Sequence, residues 1–343
     1  MKKQVFITLI ALLAFLLAAG CEKDAGSPLS DEQLEIDGRM ELLTDDNTSD
    51  ESADYLVDWG IDDGSEDNMY DGFSTFSPDI TFSKVMSPIQ NVVRFGRKIN
   101  KRNRRQIQII NTGNDTIYYS IKRQLVGRFV IFENLGNDTA QVDTIAIHRK
   151  DLQHIVQRKA VFVKRQPNDE AFKNPRKRWK LAAVSIGFGE SHPTRTVNLE
   201  KVMILTSNGD SLSFSDPLNT MLRIPEDIPK FLPGESVTIR VLVSNSSGNL
   251  VPNPETGATE TVLLHFGVNR HHRARKRFEF KGTDPATGYN IYEGTWVVHE
   301  PVNRAFHAVV DVIDNGTIYD TDQTTYPYNS VTWGCPYRVV FSE

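Results

Sequence analysis

The residues with the most conspicuous chemistry are cations. Arg94, Arg97, Lys98, Lys101, Arg102, Arg104 and Arg105 crowd one stretch; Lys173, Arg176, Lys177, Arg178 and Lys180 form a second; Arg270, His271, His272, Arg273, Arg275, Lys276 and Arg277 form a third. Cations at this density attract phosphate- or carboxylate-bearing polymers by releasing their condensed counterions. The candidates for such contacts are Arg97, Lys98, Arg102, Arg104, Arg105, Arg273, Arg275 and Lys276. The plainer use of the same charges is to solvate loops and hairpins. None of the runs sits in a nucleic-acid-binding motif, so no specific nucleic-acid partner is expected.

Patterns for catalysis and metal binding are weaker. Gly187-Phe188-Gly189-Glu190-Ser191 has the outline of a nucleophile elbow but places a glutamate where the serine belongs, and the adjacent Ser191 and His192 do not make a triad. Asp62-Asp63-Gly64-Ser65-Glu66-Asp67 is acidic enough for calcium, yet its glycine comes too early for an EF-hand loop. The eight histidines fall in no recognised ligand spacing; His299 and His307 could at most approach across a hairpin. No glycine-rich phosphate loop carries a lysine. The tryptophans Trp179, Trp296 and Trp333, with Tyr289, Tyr292, Tyr326 and Tyr328, could stack on sugars or fill a core. No cofactor and no metal site is expected.

The start of the chain is more specific. Met1-Lys2-Lys3 is followed by an apolar run from Val5 to Ala19, the shape of an export signal and short of the roughly 20 residues a spanning helix needs. Leu17-Ala18-Ala19-Gly20-Cys21 resembles the lipobox of bacterial lipoproteins, with Ala18 standing where that family prefers leucine. The resemblance implies cleavage before Cys21, acylation of Cys21 as the new N-terminus, and anchoring to a membrane without crossing it. Glu22 after the cysteine implies the outer membrane, on its periplasmic or its surface face. With Cys21 acylated, Cys335 has no disulfide partner, and its neighbours Trp333, Pro336 and Tyr337 suggest a buried small hydrophobe.

Charge divides the rest. The net charge of the 343 residues is -5, but Glu22 to Asp79 holds nineteen acids and two basic residues, so the remainder from Ile80 onward carries an excess of ten positive charges. The acidic stretch reads either as a solvated spacer that extends by self-repulsion or as a segment that folds back on the basic body and screens it. Residues 1–20 are thus expected to be the signal, 21–85 an acidic tether, partly disordered or helical, and 86–194 and 195–343 two folded modules.

The elements that must position the cations are mostly strands. Gln106 to Ile110 and Thr116 to Ile121 flank the turn Asn111-Thr112-Gly113-Asn114-Asp115, and strand pattern continues to Phe132 and from Val142 to Ile147. Asp151 to Gln157 suggests a helical turn capped by Asp151. Lys159 to Lys164 and Arg178 to Ile186 again read as strands. The start at Asp115-Thr116, the long strand to Ile131, and the strands Arg158 to Phe162 and Arg178 to Leu181 resemble the curved sheet of NTF2-like folds; a β-sandwich fits the same segments. From Thr196, short strands recur with turn residues between them. Gly234-Glu235-Ser236-Val237-Thr238-Ile239-Arg240-Val241-Leu242-Val243 resembles a strand opening of immunoglobulin-like and fibronectin-like domains.

The fold class is therefore expected to be mainly β: a basic β-rich or α+β, NTF2-like module followed by an immunoglobulin-like β-sandwich. The expected function is that of a non-catalytic outer-membrane lipoprotein with a binding or structural role in the cell envelope, contacting proteins or anionic polymers. The alternative is an envelope hydrolase acting on polysaccharide, with the sandwich as an accessory domain. A concave pocket in the first module holding facing carboxylates, or a histidine with a carboxylate partner, would favour that alternative.

Overall fold

The computed structural model describes residues 29–44, 55–56, 92–103, 105–134, 145–206, 211–253, 256–267 and 273–341. Cys21 and the signal, the calcium-like stretch at 62–67, Arg104, the 207–210 turn and the His271–His272 pair lie outside the described residues. The chain forms two compact units, one of Met1–Arg39 with Arg165–Trp179, the other of Met40–Lys164 with Lys180–Glu343.

The larger unit is mainly β. Its largest sheet follows the order β1 (Val92–Arg102), β3 (Thr116–Asn134), β4 (Ile145–Lys164), β6 (Gly187–Ser191), β17 (Ser330–Val339), β16 (Ala305–Asp314), β12 (Glu260–Gly267) and β13 (Arg273–Arg277). Four further strands lie beside this path: β2 (Gln106–Thr112) on β3, β5 (Trp179–Ser185) on β4, β9 (Met221–Arg223) on β5, and β10 (Lys230–Phe231) on β17. A second sheet has the order β14 (Glu279–Thr283), β15 (Asn290–Val297), β11 (Ser236–Asn245), β7 (Val197–Leu205) and β8 (Ser211–Phe214). In β11 the burial of Val237, Ile239, Val241 and Val243 shows the two-residue period that sets one face of a strand on a core.

Two expectations are corrected. Asp151 to Gln157 is not a helical turn but the middle of β4, which pairs with β3 from Thr116↔Val163 to Asn134↔Ile145. A continuous ladder outweighs the weak capping preference of one aspartate. The boundary at 194/195 is not a break in the sheet either. The strand β6 precedes it and pairs with β17 near the other end of the chain, from Val331↔Glu190 to Gly334↔Gly187. The same sheet therefore runs through both expected modules.

The sheet curls until its far strands face each other. Ile99 of β1, Phe129 and Ile131 of β3, and Leu152 and Val156 of β4 share a buried cluster with Leu263 of β12 and Val309 and Ile313 of β16. Ile318 and Tyr319 of the short helix α2 (Asn315–Tyr319) join it. An NTF2-like cone needs helices over this face; here β12, β16 and α2 occupy it. The two sheets meet through aromatic side chains, with Phe214 on Trp333 at 5.8 Å and Trp296 against Tyr337 at 6.1 Å between ring centroids. Trp296, Trp333, Tyr292 and Tyr328 are all buried, so these aromatics serve as core, each contributing roughly 2–3 kcal/mol by burial. Cys335 is buried with a free thiol, as expected, and burial pushes that thiol up to about 12.

In the smaller unit the helix α1 (Asp31–Thr44) begins, its later residues belonging to the larger one. Ser30 caps α1, its hydroxyl accepting from the Gln33 amide, and Asp31 and Glu32 sit in the first turn where the helix dipole favours anions. Two short 3-10 turns, Glu170–Lys173 and Pro175–Lys177, shape the loop opposite, started by Asp169 and Asn174 side chains that accept backbone amides.

Candidate polyanion-binding seam and the buried charge network

Arg94 to Arg102 of the first basic run and Arg273 to Arg277 of the third lie on β1 and β13, the two ends of the sheet path. Because the sheet curls, these ends approach, and the Arg275 guanidinium donates to the Phe95 carbonyl of β1 at 3.3 Å. Cations some 180 residues apart are thereby brought to one seam. Lys98 and Arg275 are half-buried there and Lys276 is exposed. Arg105, also half-buried, donates to the Leu43 carbonyl at 2.9 Å. Arg102 and Arg273 belong to the strands, but their side chains lie outside the described residues, as does Arg104.

Arg97 does not belong to this surface. Alternation along β1 turns it inward between Gly96 and half-buried Lys98, and its side chain is 2% exposed. Its Nη1 and Nη2 donate to Asp311 Oδ2 and Oδ1 of β16 at 2.6 and 2.8 Å, its Nε donates to Tyr328 Oη at 2.7 Å, and Nη2 also reaches Ser330 Oγ at 2.8 Å. Asp311 in turn contacts His265 Nε2 of β12 at 3.0 Å and accepts from Ser330 Oγ at 2.9 Å. Tyr328 Oη meets His154 Nδ1 of β4 at 2.9 Å.

Electrostatics in this network follow from burial. Burial would raise the Asp311 carboxyl, but the Arg97 charge and the His265 hydrogen bond hold it well below the usual carboxylate range. Burial would lower Arg97, and Asp311 and Tyr328 more than reverse that. His154, buried and beside Arg97, is pushed down to about 3 and is neutral at ordinary pH. His265 and Asp311 form a histidine–carboxylate pair, but both belong to the expected second module rather than the first, where the hydrolase alternative looks for one, and both side chains are 1% exposed. No substrate reaches them without opening the core, so the pair acts as a clamp across β1, β12, β16 and β17.

Two more interior cations work in the same way. Arg158 donates to the Tyr55 carbonyl and to the Gly334 carbonyl at 3.2 Å, and lies 3.2 Å from His307 Nε2. Lys150 donates to the carbonyls of Gly316 and Tyr326 at 2.8 and 2.5 Å; burial pushes it down to about 8 although Asp320, Asp314 and Asp322 oppose this. Tyr55 and Leu43, both from the acidic segment, are themselves buried in the larger unit. No cluster of three or more metal-ligating side chains occurs among the described residues.

The second basic run already has a partner. Arg178 bridges Glu35 at 3.1 Å and Asp31 at 2.9 Å, while Trp179 Nε1 donates to the other Glu35 oxygen at 2.8 Å. Asp37 lies 3.6 Å from Arg176, and the Arg39 guanidinium stands 4.8 Å over the Trp179 ring. This stretch of the acidic segment therefore folds back on basic residues, the second of the two readings of its charge. Gly38 permits the approach: a Cβ there would overlap the Arg176 carbonyl oxygen.

Sequence reasoning did not single out Asp311, His265 or His154, and it took Tyr328 only as an aromatic. The signal for Asp311 was present, a lone carboxylate inside Val309-Val310-Asp311-Val312-Ile313, where only a buried partner makes a charge tolerable.

No protein-family model matches the chain, and no curated protein matches it. Among solved structures, a multidomain segment of Extended-Synaptotagmin 2 is similar at 10% identity, covering 64% of this chain and 78% of that one, with a TM-score of 0.15. A score that low carries no argument about fold or function.

Proposed function

We propose that this chain is a lipid-anchored protein of the bacterial outer membrane that binds anionic envelope polymers without chemically altering them. The anchor rests on the lipobox-like Leu17–Cys21 stretch. The binding reading rests on one observation, the convergence of the first and third basic runs where Arg275 meets β1. Cations gathered at one seam hold several phosphates or carboxylates of a polymer at once, which separated loops do not.

The test is binding of lipopolysaccharide or polygalacturonate across a salt series, beside palmitate labelling of wild type and Cys21→Ala. The Lys98→Glu/Lys276→Glu variant is expected to bind at least tenfold more weakly and with a shallower salt dependence. Label is expected in wild type and absent from Cys21→Ala. Wild-type affinity in the double variant overturns the seam, and equal labelling overturns the anchor.

A further inference from the structure

A cleft of about 310 Å³ opens on the larger unit, lined by Ile110, Asn111, Tyr118, Lys159, Leu218, Asn219 and Met221. That is at the lower end of the range for small-molecule sites, about 300–1,000 Å³. Its walls are apolar apart from two amides and one ammonium. Ile110 and Tyr118 remain 51% and 42% exposed, an unusual state for large apolar side chains on neighbouring strands.

Two features show that this cleft is built. The first is backbone. β2 and β3 pair in register up to Ile109↔Tyr119 and resume at Asn111↔Tyr118, so Ile110 is an inserted residue. Such a bulge re-aims one side chain, and here it brings Ile110 to the cleft beside Tyr118. The second is the positioning of the charge. Lys159 Nζ donates to Asn219 Oδ1 at 2.7 Å. Asn219 is itself fixed, its Nδ2 donating to Asp216 Oδ2 at 2.7 Å and its backbone amide to Asp216 Oδ1 at 3.2 Å. The Asp216 carboxylate thus faces Asn219, while the bond to Asn219 uses one of three ammonium donors and leaves two for a ligand.

We infer that this cleft binds a small monocarboxylate with an apolar or aromatic tail, the carboxylate on Lys159 and the tail between Ile110, Tyr118, Leu218 and Met221. One ammonium matches one carboxylate; a phosphate dianion would need a second cation, and among the described residues the lining holds no other. The site is separate from the basic seam and does not depend on it.

Calorimetric titration of the purified full-length protein with hydrocinnamate tests the assignment, with the neutral amide hydrocinnamamide as control. Saturable binding in the sub-millimolar range is expected, at least tenfold weaker for the amide and for Lys159→Met. Ile110→Asp should abolish it, and Lys281→Met, on the other sheet, should not change it. No saturable binding to the folded wild-type protein overturns the assignment. So does equal affinity for acid and amide, or an unchanged affinity in Lys159→Met. Unaltered circular dichroism of the variants separates loss of the site from loss of the fold.

Discussion

Arg97 and Asp311, 214 residues apart in sequence, meet in a two-pronged ion pair with side chains only 2% and 1% exposed. Each charge is tolerable inside the curled sheet only because the other is there. Removing one partner strands a buried charge, which typically costs about 3–5 kcal/mol, whereas replacing both with apolar residues of similar volume is far cheaper. Arg97→Met and Asp311→Asn are therefore each expected to lower unfolding free energy by about 3–5 kcal/mol. Arg97→Met/Asp311→Leu should lose much less than the two single effects added together. Urea denaturation of all four proteins gives the coupling directly. Single variants within about 1 kcal/mol of wild type would show that the pair does not close the sheet.

The same network sets an acid limit on stability. His154 has an ordinary value of 6.5 and is pushed down to about 3 in the fold. Between those values the unfolded chain binds a proton that the folded chain refuses, so this residue makes stability fall as pH drops through that window. The slope is at most about 1.4 kcal/mol per pH unit. Asp311 acts in the same direction further down: its depressed carboxyl contributes stability above the usual carboxylate range, lost on acidification. His154→Gln should flatten the dependence between about pH 6 and pH 4 relative to wild type. Parallel stability curves for the two proteins in that interval would mean that His154 is not held neutral.

The two-residue alternation in Val237-Thr238-Ile239-Arg240-Val241 and the turn before Thr116 read correctly because strand periodicity and turn chemistry are local properties. The placement of Arg97 did not read correctly. Its neighbours in sequence made it look like part of a cationic surface, and only β16, more than 200 residues later, supplies the carboxylate that draws it inside. Asp151 to Gln157 misread for a related reason, since its conformation is decided by pairing with β3 rather than by its own residues. The seam between β1 and β13 was equally hidden, because it exists only once the sheet has curled.

The fold-back of the acidic helix makes a prediction whose sign is informative. In an isolated helix, Gly→Ala is stabilising by about 1 kcal/mol, because alanine has the higher helix propensity. At Gly38 the new methyl would overlap the Arg176 carbonyl oxygen, so the helix must withdraw from Arg176 and loosen the Glu35 bonds to Arg178 and Trp179. Gly38→Ala is therefore expected to speed hydrogen exchange in residues 31–38 severalfold. Glu35→Gln, which keeps an acceptor for Trp179 but removes the charge facing Arg178, should act in the same direction by less. Raising salt should speed exchange in the wild type and matter less in Glu35→Gln. Slower exchange in Gly38→Ala would mean that the helix obeys its propensity alone, and the acidic segment would then be a spacer with a helical stretch rather than a clasp on the second basic run.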